Sequence, residues 1–254
     1  DAGASAVTFN GTVDGPYALT VNAGGVTTFN GAIGSTQALS SLSTDANTSG
    51  SVVMNAGSVV TTGTQNYGEA VLFSANTTLT SSASGDISFG RALNGAQTLV
   101  VNTSGVTRFM GAVGQVTPLT SITTDVGGSV LLGGGAVTTS GAQTFRDAMT
   151  LGAHSTLTSM TDTVNFLRIT DGAARLDLNL QTATAMVMGD VDSVRHLQVI
   201  THMGGVSQQP NTSLNISGTA TFTADTGTSQ VAQLTGAGNT FGQLLTLNQV
   251  HGGS

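Results

Sequence analysis

Along most of this chain apolar and polar residues alternate with a period of two, as in "ALTVN" (Ala18–Asn22), "SVVMN" (Ser51–Asn55) and "TATFT" (Thr219–Thr223). Residues two apart share one face of an extended strand, so this alternation predicts short, half-buried β-strands. The runs are broken by Gly, Asn or Asp, residues that accept the positive-φ corners where an extended chain turns. No long segment carries apolar residues at helical spacing free of Gly and β-branched residues, so helix is not expected.

The strand pattern is also repetitive. "DGPYALTVNAGGVTTFNGAIG" (Asp14–Gly34) returns as "NGAQTLVVNTSGVTRFMGAVG" (Asn94–Gly114), eighty residues on, and "SLSTD" (Ser41–Asp45) returns as "SITTD" (Ser121–Asp125) at the same offset. The copy then loses two residues at a turn. "GSVVTTGTQNYGEAVLFSANTTLTSS" (Gly57–Ser82) faces "GAVTTSGAQTFRDAMTLGAHSTLTSM" (Gly135–Met160) at an offset of seventy-eight, pairing Gln65 with Gln143 and Glu69 with Asp147. A third copy begins and degrades, "ISFGRALNG" (Ile87–Gly95) resembling "VNFLRITDG" (Val164–Gly172).

Inside each block lies a beat of twenty residues: "VTFNGTV" (Val7–Val13) becomes "TTFNGAI" (Thr27–Ile33), and "ISFGRAL" (Ile87–Leu93) becomes "TRFMGAV" (Thr107–Val113). A twenty-residue period made of strands without helices belongs to a β-solenoid, here a parallel β-helix. The block reads as about four coils, and the chain as about twelve coils of roughly twenty residues. At about 4.8 Å per coil these make a rod ~60 Å long. The expected organisation is one elongated domain over 1–254, with regular repeats over 1–172, degenerate repeats over 173–254 and a loop at 204–213. Insertions and deletions are expected at corners. Phe9 and Phe29, then Phe89 and Phe109, should stack on neighbouring coils inside the core. Phe29, Phe109, Val26, Val106, Leu79 and Leu157 are expected to point inward in equivalent places.

Composition narrows the partners. Only 7% of residues are charged, about a quarter of the usual share, while 39% are hydrophobic, which argues against a solvated coil. A net charge of −7 with six Lys and Arg leaves no basic face for nucleic acid. Membrane insertion of this segment is not expected. No stretch is long and apolar enough for a spanning helix, and a barrel wants aromatic girdles where this chain has no Trp and 4% aromatics. The opening "DAGASAVTFN" has neither the basic start nor the apolar run of a signal peptide and reads as the interior of a longer protein. With no Cys, disulfides and thiolate metal sites are excluded.

"LTVNAGGVTTFNGAIG" with the following "LSSLSTD", "TTGTQNYGEAVLF" and the later "LTGAGNTFGQLLTL" (Leu234–Leu247) resemble the repeat regions of large secreted exoproteins. The nearest family is the filamentous-haemagglutinin-like β-helix proteins of Gram-negative bacteria, exported by two-partner or autotransporter routes. The resemblance is strongest from Val7 to Met160 and weaker after Ala173. It implies a right-handed parallel β-helix, secreted and displayed at the bacterial cell surface, serving as an adhesin, stalk or delivery rod. Its partners would be glycans or proteins of host or neighbouring cells. The resemblance does not extend to the family's amino-terminal export domain, and it supplies no catalytic motif and no cofactor.

Parallel β-helices also include polysaccharide lyases and hydrolases, which gather carboxylates and basic residues on one face. The one titratable concentration lies in "TDGAARLDLN" and "GDVDSVRHLQ", with Asp171, Arg175, Asp177, Asp190, Asp192, Arg195 and His196. Paired carboxylates there could cleave a glycosidic bond or hold Ca²⁺ through oxygen, for which Asp190 and Asp192 are weak candidates. The reading preferred from sequence is solvated side chains at the corners of less regular coils. His154, His196, His202 and His251 share no metal-binding spacing, and His154 replaces Asn76 of the previous copy. Thr219, Thr221 and Thr223 form a row like that of ice-binding solenoids, but the row does not recur with every coil. Three functions follow in order of preference: a non-enzymatic structural and adhesive rod, a filament subunit that stacks head to tail through its edges, and a carbohydrate-active enzyme.

Overall fold

The period-two pattern becomes strand geometry along the chain. In a computed structural model, which describes residues 2–46, 50–171, 175–225 and 231–250, the regular elements are all β-strands and their pairing is parallel. The strands are short because the chain must turn after each side of the coil. Within them the alternation sorts side chains cleanly: Leu42 and Thr44, Val52 and Met54, and Val59 and Thr61 are buried while their neighbours face outward. The result is a β-solenoid of about ten turns, three strands to a turn in its regular part.

Three ladders run along it. On the first face the partners step Val7, Thr27, Val52, Val71, Leu93 and Val113, and continue through Val137, Leu157, Leu180, Val199 and Phe222 to Leu247. Successive partners are 19 to 25 residues apart, the variation being absorbed at corners. The second face runs Val13, Ile33, Val59, Leu79, Val101, Thr124, Phe145, Phe166. The third runs Leu19, Leu42, Gln65, Ile87, Thr107, Val130, Met149, Ile169, Val191, Leu214. The ladder on the first face therefore continues well past Thr182, through the part of the sequence where the repeat is hardest to see. In the stretch expected to be a loop, Val206–Gln208 is a strand paired with Met186–Met188 and Ala232–Gln233, while Gly204 and Gly205 before it and residues 209–213 after it lie outside the strands.

The eighty-residue duplication is not a whole number of turns. Thr27 lies on the first face and its copy Thr107 on the third; Ile33 lies on the second and Val113 on the first; Leu42 lies on the third and Ile122 on the second. The block spans eleven strand positions and falls one face short of four turns. The second copy is therefore rotated by one face relative to the first. The two-residue deletion sits between strands, where Thr44 to Ser51 is answered by Thr124 to Ser129.

Local interactions survive this rotation. Buried Gln65 donates from Nε2 to the Thr80 carbonyl (2.9 Å), and buried Gln143 repeats the bond to Thr158 (2.8 Å). Tyr67 adds a hydroxyl bond to Gln65 Oε1 (3.0 Å), whereas Phe145 has no hydroxyl and Gln143 Oε1 is left without a partner. The expected aromatic stacks are present: Phe9 on Phe29 with centroids 5.0 Å apart, and Phe89 on Phe109 at 5.4 Å, with Tyr67 extending the second stack at 5.2 Å. Leu79 and Leu157 are fully buried. Val26 is not, being 40% exposed, and Val106 is half-buried. Val26 and Phe29 are three residues apart, so period-two geometry cannot place both inside; Thr27 is buried instead. The equivalent places expected for Phe29 and Phe109 are likewise different faces, the first and the third.

Candidate functional site

The acidic and basic residues singled out in the sequence divide between two faces. Asp177 begins the first-face strand Asp177–Thr182, and Arg195 and His196 stand beside it on the next turn. Asp190 and Asp192 belong to the third-face strand Asp190–Val194, where residues two apart both point outward.

On the first face Arg195 grips Asp177 with two parallel bonds, Nε to Oδ1 and Nη2 to Oδ2, each 2.8 Å. His154 Nδ1 stands 3.2 Å from Asp177 Oδ2 and accepts the Asp177 main-chain N–H at 3.1 Å. On the third face Arg168 Nη2 donates to Asp192 Oδ2 (2.6 Å), and Ser193 and Asn215 donate to Oδ1. Hydrogen bonding from Arg195 holds the Asp177 carboxyl below the ordinary carboxylate range, and Arg168 does the same for Asp192. Arg168, Asp190, Asp192, Ser213, Asn215 and Thr240 line an open groove of about 280 Å³ across several turns.

The remaining acids and the histidines His154 and His196 fasten main-chain N–H groups. Asp171 Oδ2 accepts from Arg175 N (2.7 Å) and Leu176 N (2.6 Å), Asp190 Oδ1 accepts from Ser213 N (2.7 Å), and His196 Nδ1 accepts from Thr219 N (2.9 Å). His154 serves Asp177 N as Asn76, its counterpart, serves Thr98 N (2.9 Å). Asp14 holds Thr36 N and Gln37 N, and its copy Asn94 holds Val116 N and Thr117 N. A ladder that turns every few residues leaves corner N–H groups without strand partners, and these side chains supply them. Among the described residues no three of His, Cys, Asp and Glu gather where they could hold a metal ion. His202 lies on the turn after the strand His196–Thr201, and His251 falls outside the described residues.

Two further acids, outside the charged stretch of the sequence, are buried. Glu69 is 0% exposed and neither of its carboxylate oxygens has a hydrogen-bond partner. Its copy Asp147 is 2% exposed; Oδ1 accepts from Gly128 N (2.9 Å), while Oδ2 has no partner. The signal was present as parity: each acid stands two residues after an inward aromatic, Tyr67 or Phe145, and so points inward as well. Burial, reinforced by the neighbouring Asp45 carboxylate, pushes Glu69 up to about 7, with Arg91 opposing. Burial also raises Asp147, with Asp125 adding to it against the Gly128 bond.

The two sets of carboxylates give opposite pH dependences. Asp177 and Asp192 have depressed values, so their contribution is present above the ordinary Asp range and is lost as pH falls through the folded value. Glu69 is raised from 4.5 to about 7, so the folded chain holds a proton the unfolded chain has lost, and its effect is a loss of stability as pH climbs between those values. In metal-free buffer, thermal midpoints should decline between pH 5 and pH 7.5, and Glu69→Gln should flatten that decline. An unchanged slope in the variant would show that Glu69 is not the group responsible.

Compared with family models, with curated proteins and with solved structures, the chain matches none.

Proposed function

We propose that the chain is a structural and adhesive segment of a secreted bacterial surface protein, a stiff rod that carries binding surfaces away from the cell. The supporting observation is the ladder that runs unbroken from Val7 to Leu247, each turn bonded to the next by its main chain. Asp171, Asp190, His154 and His196 fasten corners, and Asp177 and Asp192 pair with arginine, which suits a load-bearing element. The resemblance to filamentous-haemagglutinin-like proteins supplies the surface location and the partners, glycans or proteins of neighbouring cells.

The groove beside Arg168 and Asp192 favours carbohydrate as the bound class, because Asp, Asn, Ser and Thr side chains match the donors and acceptors of sugar hydroxyls. It is a weaker basis for hydrolysis. A glycosidase needs one carboxyl held protonated near neutral pH, and Arg168 pushes Asp192 in the other direction. Incubation with a panel of neutral and acidic polysaccharides decides between the readings. Saturable retention without new reducing ends or unsaturated products is the expected result. Depolymerisation that disappears in Asp192→Asn would replace the adhesive reading with the enzymatic one.

A further inference from the structure

The two buried corner acids stand in matching cradles of oxygen. A Cβ at Gly50 would overlap Glu69 Oε1 and would stand 2.8 Å from the Gly25 carbonyl oxygen and 2.9 Å from that of Ala23. A Cβ at Gly128 would meet the carbonyl oxygens of Thr103, at 2.5 Å, and of Gly105. Thr103 and Gly105 are the copies of Ala23 and Gly25, and Gly128 is the copy of Gly50. A second acid lies near each buried one. Asp45 packs against Gly68, whose added Cβ would overlap the Asp45 carbonyl oxygen, and Asp125 Oδ1 accepts the N–H of Thr103 (3.0 Å) at the other corner. Each adds to the upward push that burial gives the acid next to it. Thr124 Oγ1, on the strand leading to Asp125, is buried and turned toward the Asp147 carboxylate.

Each corner thus gathers two carboxylates and main-chain carbonyls, with the Thr124 hydroxyl close by at the second corner. Oxygen donors of this kind select hard cations, and two neighbouring carboxylates match a divalent one. The rival occupant is a proton shared between the buried acid and a carbonyl. A single proton neutralises only one of the two carboxylates, and the same set of groups is kept twice on different corners. We propose that Glu69 with Asp45, and Asp147 with Asp125, each bind a calcium-type divalent cation, with neighbouring main-chain carbonyls and water completing the coordination. The ion supplies a partner to the two Glu69 carboxylate oxygens, which otherwise have none, and it fastens two successive turns at a corner. This inference stands whether the rod is an adhesin, a filament or an enzyme.

The test uses the full chain after chelation, titrated with calcium chloride by calorimetry and followed by thermal denaturation at pH 7.5. We expect saturable uptake of about two ions per chain with dissociation constants near or below about a millimolar, as for extracellular calcium modules. The midpoint should rise by roughly 5 °C at millimolar excess. Uptake should release protons, which is read by repeating the titration in buffers of different ionisation enthalpy. Glu69→Gln should remove one ion and Asp147→Asn the other, while the metal-free midpoint of either variant stays at or above that of the wild type. If a variant fails to fold, Asp45→Asn and Asp125→Asn read the same sites from their less buried members. Absence of heat and of any midpoint shift in the wild-type chain would overturn the proposal. So would a calcium response that all these variants retain in full.

Discussion

Phe109→Asp is expected to unfold the middle of the solenoid at ambient temperature. Phe109 is fully buried, and its ring lies flat on Phe89, which lies on Tyr67, so three successive turns of the third face share one aromatic column. Removing such a ring alone costs roughly 3–5 kcal/mol, and an ionised carboxylate in its place has no cation or donor beside it. Phe73 adds an edge-on contact to Phe89 at 6.4 Å, so the disturbance reaches the first face as well. Thermal denaturation by circular dichroism checks this against Phe109→Leu, which keeps an apolar side chain and should lose only about 1–2 kcal/mol. A Phe109→Asp chain melting like the wild type would place that ring outside the core.

The second large effect is expected at Gly114. Its φ of 70° lies in the left-handed region, and a Cβ would be driven into the Thr138 carbonyl oxygen of the next turn. Gly34, its copy, has φ 67° and meets the Val60 carbonyl in the same way. At both positions the chain leaves the ladder for a short outward loop and returns at Leu39 or Leu119. Strain and main-chain overlap together should make Gly114→Ala destabilising by roughly 3 kcal/mol. Gly11→Ala, where a Cβ meets nothing within 4 Å, should change stability by less than about 0.5 kcal/mol. Urea denaturation of the two variants gives the comparison, and equal midpoints would remove the steric account of Gly114.

The parallel solenoid was legible because a strand's two sides are written into its sequence and the copies are long enough to align. Parity settled which residues enter the core wherever it was applied one residue at a time. Val26 and Phe29 cannot both follow it inward, because an odd spacing separates them, and Val26 is the one that faces out. The face on which each copy lands could not be read from the repeat, because an eighty-residue offset is close to four turns of about twenty residues. Only the actual partners, Thr27 with Val52 and Thr107 with Val130, reveal the shorter count. The charged cluster was misleading for a related reason. Asp177 and Asp190 are near in sequence, but the strand Met186–Met188 and its two corners lie between their strands, and the solenoid places them on separate faces. Glu69 and Asp147 stand outside the densest run of charge, yet in this fold a solitary acid at an inward position is the more unusual event.

The rotated duplication bears on how such a chain can lengthen. If a copied segment had to contain whole turns, only a few breakpoints in its gene would yield a folded product. Here an inherited block of eleven strands was accepted, which means that a strand suited to one side of the prism also served on another. Growth by single strands multiplies the permissible breakpoints. It also distributes successive copies of any feature, such as the loops after Gly34 and Gly114, in a spiral around the axis. A flat partner surface would then meet one copy at a time, while a partner that winds around the rod could meet each in turn.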